Sequence, residues 1–213
     1  MKLSQLLEAP PDFGNREIST FGSSFGTYST ETIDREFEII ARVKREDSEY
    51  WVLLKKNKSF AVLGYLVKRD ETEVGVKIVG QIDFKADLDL SFFTDIKIKA
   101  PNELQVDGVE IQDKKRMANF GTSLYFALAQ FGYVLISDTF HYIGGQALWK
   151  RVAKDAAREN CAVLVIGDGE PLMADGEPIE YNGQNIPDSE LWAGTDVPVK
   201  ERKRHVLFVL KKK

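Results

Sequence analysis

The chain has 213 residues and a mass of 24.1 kDa, enough for one large domain or two small ones with a real core. Its 43% hydrophobic and 29% charged content excludes a disordered polymer. With 29 basic against 33 acidic residues the formal net charge is −4, which disfavours a uniformly basic nucleic-acid binder.

Met1–Ala9 places Leu3, Leu6 and Leu7 on one helical face, and Pro10-Pro11 ends it. No basic start followed by an apolar stretch occurs there, and no apolar run approaches ~18 residues. A soluble, cytoplasmic protein with no membrane partner is therefore expected. Asp12–Thr30, with its glycines among many Ser and Thr residues, reads as loop. Residues 1–30 are expected to be an N-terminal arm and 31–213 a single domain.

From Arg35 the pattern is β-rich. Glu36–Val43, Tyr50–Leu54, Ser59–Val67 and Glu73–Phe84 are apolar or alternating runs with short polar breaks, the spacing of hairpins in an antiparallel sheet. Leu90–Ile98 fits a helix or a strand. Leu104–Ile111 alternates as a strand with Leu104 and Val106 inward, and Asp107-Gly108 marks a bulge. The period then changes. Ala118–Phe131 carries Leu124, Tyr125, Leu128 and Phe131 at helical spacing, with Gly132 as the stop. Tyr133–Ser137 is a short buried-type strand, and Gly144–Arg158 a second helix with Ala147, Leu148, Val152 and Ala156 inward. Cys161–Ile166 is another buried strand. Residues 168–200 read as loops with one small hairpin, and His205–Leu210 as a closing strand. The fold class is α/β (α+β): a mixed, mainly antiparallel central sheet flanked by helices.

One cysteine, Cys161, excludes an internal disulfide, and with two histidines it argues against a His/Cys zinc site, so no metal is expected. The stretch Val106–Tyr125 is the most informative. A strand, the basic loop Lys114-Lys115-Arg116 and the helix start Asn119-Phe120-Gly121-Thr122 would present free backbone N–H groups and positive charge to an anion. Neither the P-loop nor the dinucleotide glycine pattern is present.

Arg116-Met117-Ala118-Asn119-Phe120-Gly121 resembles the R/Q-x-x-G-x-G/A motif of the GNAT family of acyl-CoA-dependent N-acetyltransferases. The order of elements around it is similar to that family over residues 35–210. The run Tyr133–Asp138 with Ile143–Trp149 resembles GNAT-like proteins encoded by bacteriophages. The resemblance implies acetyl-CoA as acyl donor and an amine acceptor on a protein, a small molecule or a modified nucleobase. It implies the host cytoplasm as location. Arg116, Asn119, Gly121 and Thr122 would surround the coenzyme A pyrophosphate. Val109, Glu110 and Ile111 would hydrogen-bond the pantetheine arm like an added strand.

The chemistry needs a base for the attacking ammonium and a proton for the departing thiolate. Glu110 and then Asp138 are the candidate bases. Asn119 stands where the family has glycine, and Trp149 where it tends to have the tyrosine acid. Tyr142, Tyr125 or solvent would then protonate the thiolate. His141 reads as a cap or surface residue. A GNAT-like binding module without catalysis, as a virion component or an inhibitor of a host protein, is the alternative reading. The basic end, Lys200 to Arg204 with Lys211–Lys213, suits an acidic partner or nucleic acid in a third reading, an accessory protein.

Overall fold

A computed structural model describes residues 25–45, 48–68, 74–85, 102–112, 120–138, 143–167, 169–192 and 206–213. The chain divides into two compact units, Met1–Ala86 with Asp107–Ala127 and Asp87–Val106 with Leu128–Lys213. The expected segments Met1–Ala9 and Leu90–Ile98 lie outside the described residues.

The first unit contains β1 (Thr27–Ser29), α1 (Thr30–Glu36), β2 (Phe37–Arg45), β3 (Ser48–Lys55), β4 (Phe60–Lys68) and β5 (Val74–Phe84). It also holds the later part of β6 (Glu103–Ile111) and the earlier part of α2 (Phe120–Phe131). Strand order is β2-β3-β4-β5-β6, and β2 to β5 form an antiparallel meander. The β3–β4 turn is held by Asn57 Oδ1, which accepts from Ser59 N at 3.0 Å, while Lys58 takes a φ of 59°.

Residues 25–30 are more ordered than their Gly/Ser/Thr composition suggests. Thr27–Ser29 pair antiparallel with Lys77–Gly75 on β5, and Phe25 and Tyr28 lie against the core. Ser29 then caps α1, its Oγ accepting from Thr32 N at 3.1 Å. Ile33 is the buried residue of this seven-residue helix, and it joins Phe37, Leu53, Val62, Val76 and Ile78 in one cluster. On the opposite sheet face the Tyr50 ring lies 5.0 Å from Phe120 at the start of α2 and 5.7 Å from Tyr65.

Gly80 on β5 lets β6 and α2 approach. A Cβ there would lie 2.5 Å from Ile111 Cδ1 and 3.7 Å from Leu124 Cδ1. Gln112 N donates to Val79 O at 2.8 Å, holding the end of β6 to β5.

The second unit contains the start of β6, the end of α2, β7 (Val134–Ile136), α3 (Ile143–Ala156), β8 (Cys161–Gly167) and β9 (Glu170–Pro171). It continues with β10 (Met173–Ala174), β11 (Glu177–Pro178), α4 (Asp188–Leu191) and β12 (Val206–Lys212). Strand order is β6-β7-β12-β8-β9. The β6–β7 pair is parallel and covers only Glu103–Gln105 against Val134–Ile136, while the β12 pairings are antiparallel.

Gly132 ends α2 with a φ of 113°. Tyr133 N reaches Leu128 O and Gly132 N reaches Ala129 O, both at 3.1 Å, the double bond pattern of a glycine-terminated helix. Phe131, expected inward from its spacing, is 48% exposed. It lies in the last turn and stacks on Tyr133 at 6.0 Å. The small hairpin expected in 168–200 is β10–β11, turned by Asp175 and Gly176 with φ of 53° and 85°. Ala147 and Leu148 are only half-buried, whereas Trp149, Val152 and Ala156 are buried. Trp149, Tyr181 and Trp192 surround Phe208 of β12 with centroids 5.5, 5.7 and 4.9 Å away.

The molecule is thus mixed α+β with a mostly antiparallel sheet, and no described helix is long and apolar enough to cross a membrane.

Candidate functional site

The candidate residues fall into three groups. Val109, Glu110 and Ile111 close β6 in the first unit, together with Gly121 and Thr122 in the first turn of α2. Asp138 follows β7 in the second unit. Arg116, Asn119, Tyr142 and His141 lie outside the described residues, as does the basic loop.

On β6, Val109 and Glu110 are half-buried and Ile111 is buried against the bare backbone of Gly80. Ile111 therefore anchors the strand by its side chain, leaving its main chain to carry any role in hydrogen bonding. Gly121 is buried, and Thr122 is 2% exposed. Tyr125, one of the candidate acids, is buried one turn further along α2, and burial raises its phenol pKa so that the proton stays on.

Asp83 on β5 in the same unit is the one described aspartate with a raised pKa. Partial burial is the main cause; Gln81 Nε2, donating to Asp83 Oδ1 at 2.6 Å, opposes it, and the charge of Asp107 adds to it. The folded state holds this proton more tightly than the unfolded chain. Ionisation therefore removes stability as pH rises through and above the ordinary aspartate range. Asp83→Asn keeps the acceptor for Gln81 and is expected to raise the thermal midpoint at pH 7. The gain should vanish at acid pH, where the carboxyl is protonated in both states. A gain that persists there would assign the effect to something other than ionisation.

In the second unit the end of β7 is built by side chains that sequence reading passed over. Ser137 N donates to Phe208 O at 2.8 Å, as the β7–β12 ladder requires. The return bond is different, because Phe208 N donates to Ser137 Oγ at 2.9 Å. That hydroxyl donates in turn to Asp138 O at 2.9 Å. The Ser137 carbonyl accepts from Gln105 Nε2 at 3.3 Å. Gln105 and Ser137 are both 0% exposed, and Asp138 is half-buried beside them. In the alternation of Leu104-Gln105-Val106 the glutamine occupies an outward position; a polar residue flanked by apolar strand residues is the available signal for a covered second face.

Ser137→Ala would leave Phe208 N buried without its acceptor. The expected loss is about 1–3 kcal/mol of unfolding free energy, measured by urea denaturation. Ser137→Thr, which keeps the hydroxyl, should lose less.

Trp149 is 3% exposed and stacked on Phe208, so its indole is core. Cys161 is buried, and burial, with Glu159 nearby, pushes its thiol up to about 11, which keeps it an unreactive thiol. Among the described residues no group of three or more His, Cys, Asp or Glu is placed to hold a metal ion.

Comparison with protein-family models, with curated proteins and with solved structures found no match.

Proposed function

We propose that the chain is an acyl-CoA-dependent N-acyltransferase of GNAT-like architecture. The observation that carries the reading is the parallel β6–β7 pair joined through α2. Its ladder covers three residue pairs, after which β6 runs on to Ile111. A single parallel pair among antiparallel ones needs a crossover, and here the crossover includes the helix whose first two residues end the R-x-x-N-x-G stretch. The strand order β6-β7-β12-β8 supports the same reading.

On this reading the main chain of Val109–Ile111 takes the pantetheine arm, and the first-turn amides of α2 with Arg116 take the pyrophosphate. Glu110 removes a proton from the acceptor ammonium. The freed amine attacks the thioester carbonyl, the C–S bond breaks, the nitrogen gives up its second proton to water to become the amide, and coenzyme A leaves as a thiolate that takes a proton from solvent.

Acetyl-CoA at ~100 times its dissociation constant should stabilise the fold by about 2.7 kcal/mol, seen as a rise in thermal midpoint. Thiol release from acetyl-CoA with spermidine, a lysine-containing peptide or hydroxylamine as acceptor should follow. The core position of Trp149 favours a second reading, a GNAT-like binding module. Acetyl-CoA binding with no thiol release would select it, and no binding would remove the transferase.

A further inference from the structure

We propose that the sheet face opposite α2 in the first unit is a docking surface whose occupant is the chain's own leading segment, Met1–Ala9, through Leu3, Leu6 and Leu7. The β2–β5 meander has two faces. One is covered by α2, with the Phe120 ring on Tyr50 and Leu124 near Gly80. On the other, directly paired residues share a side. The pairings set Ile39 beside Leu53 and Val62, Trp51 beside Gly64, and Leu66 beside Val76 and Tyr28. Among the described residues the helix packed on this face is α1, seven residues long with Ile33 as its buried side chain. That cover is incomplete. Phe25, Tyr28, Ile39, Trp51 and Phe60 pack on the cluster but are only half-buried, and Leu66 is 38% exposed.

The occupant follows from where the chain enters this face. Lys77 Nζ donates to Phe25 O at 3.1 Å, and Ile78 N donates to Gly26 O at 3.1 Å. Residue 25 is thus fixed beside β5, with 24 residues before it. The stretch between Ala9 and Phe25 can span about 50 Å, whereas β5 to β2 is about 14 Å across. A helix over Met1–Ala9 would be about 13 Å long, close to the width of the meander. Such a helix is too short to persist alone in water, and its leucines need an apolar surface. The first unit, to which this segment belongs, presents one within reach.

The test uses the full chain with benzoylphenylalanine, an apolar photo-crosslinker, in place of Leu6. Irradiation followed by peptide mass spectrometry is expected to link position 6 to Ile39, Trp51 or Leu66 within one chain. The same label in place of Gln5, on the opposite side of the helix, should link to them far less. The variant Leu3→Ser/Leu6→Ser/Leu7→Ser should raise acrylamide quenching of tryptophan emission. That readout follows Trp51, since Trp149 and Trp192 are buried. No links, equal linking from positions 5 and 6, links only to the second unit, or unchanged quenching would overturn the docking. A covalent dimer on a denaturing gel, with the unlabelled chain a dimer by light scattering, would overturn it in favour of a second copy on this face.

Discussion

Phe208→Ala is expected to lower the unfolding free energy by about 3–5 kcal/mol. The ring is fully buried on β12, and three aromatic neighbours converge on it at 4.9–5.7 Å. They come from three separate stretches: Trp149 from α3, Tyr181 from the chain after β11, and Trp192 from just beyond α4. Collapse of one neighbour into the void would require moving a backbone segment that is tied down elsewhere. Tyr181 N is bonded to Val163 O at 2.7 Å, and Trp192 N to Asp188 O at 2.7 Å. The cavity should therefore stay largely open, and an open cavity is what makes such truncations costly. Urea denaturation followed by tryptophan fluorescence reads the effect directly, since two of the three tryptophans flank the ring. A loss below about 1 kcal/mol would mean that the neighbours close over the gap. Phe208→Leu, which refills part of the volume, should cost less than the alanine variant.

Gly64→Ala is the second large effect, about 3 kcal/mol. Gly64 faces Trp51 across the β3–β4 ladder. A Cβ there would lie 2.5 Å from Val76 Cγ1, 3.0 Å from Ile78 Cδ1 and 2.7 Å from the backbone oxygen of Lys77. The side chains can rotate, but the carbonyl belongs to β5 and moves only with the strand. The β4–β5 ladder is already irregular at this point, its register shifting between Leu63 and Gly64. The half-buried Trp51 ring lies on the same cluster, with the Arg42 guanidinium 4.3 Å above it and its Nε1 donating to Glu49 at 2.5 Å. Gly80→Ala is the control. Its closest contact is the flexible end of Ile111 at 2.5 Å, and the nearest backbone atom, Glu110 O, is 3.5 Å away. It should cost about 1 kcal/mol. Equal losses at the two glycines would show that strand spacing at Gly64 is softer than its contacts indicate.

The candidate site was legible in part. Val109–Ile111 and Gly121-Thr122 were placed correctly at a strand end and a helix start, because alternation and helical spacing are local consequences of which side is buried. The α1 helix was passed over. With one buried residue it has almost no apolar periodicity, and its signal is the Ser29 cap alone. Phe131 was misplaced because a periodic pattern does not say where its own last turn leaves the core.

Residue types and their spacing were enough to determine most of the strands, α2, α3, the Gly132 stop and the place of Cys161 on a buried strand. Each depends on neighbours within a few positions, where backbone geometry and burial act together. Only the tertiary structure decided the parallel β6–β7 pairing, the placement of β12 between β7 and β8, and the exchange of partners among Gln105, Ser137 and Phe208. Those three residues are brought together by pairing between distant strands, and the bonding needs of a buried carbonyl and a buried amide become visible only once the strands lie side by side.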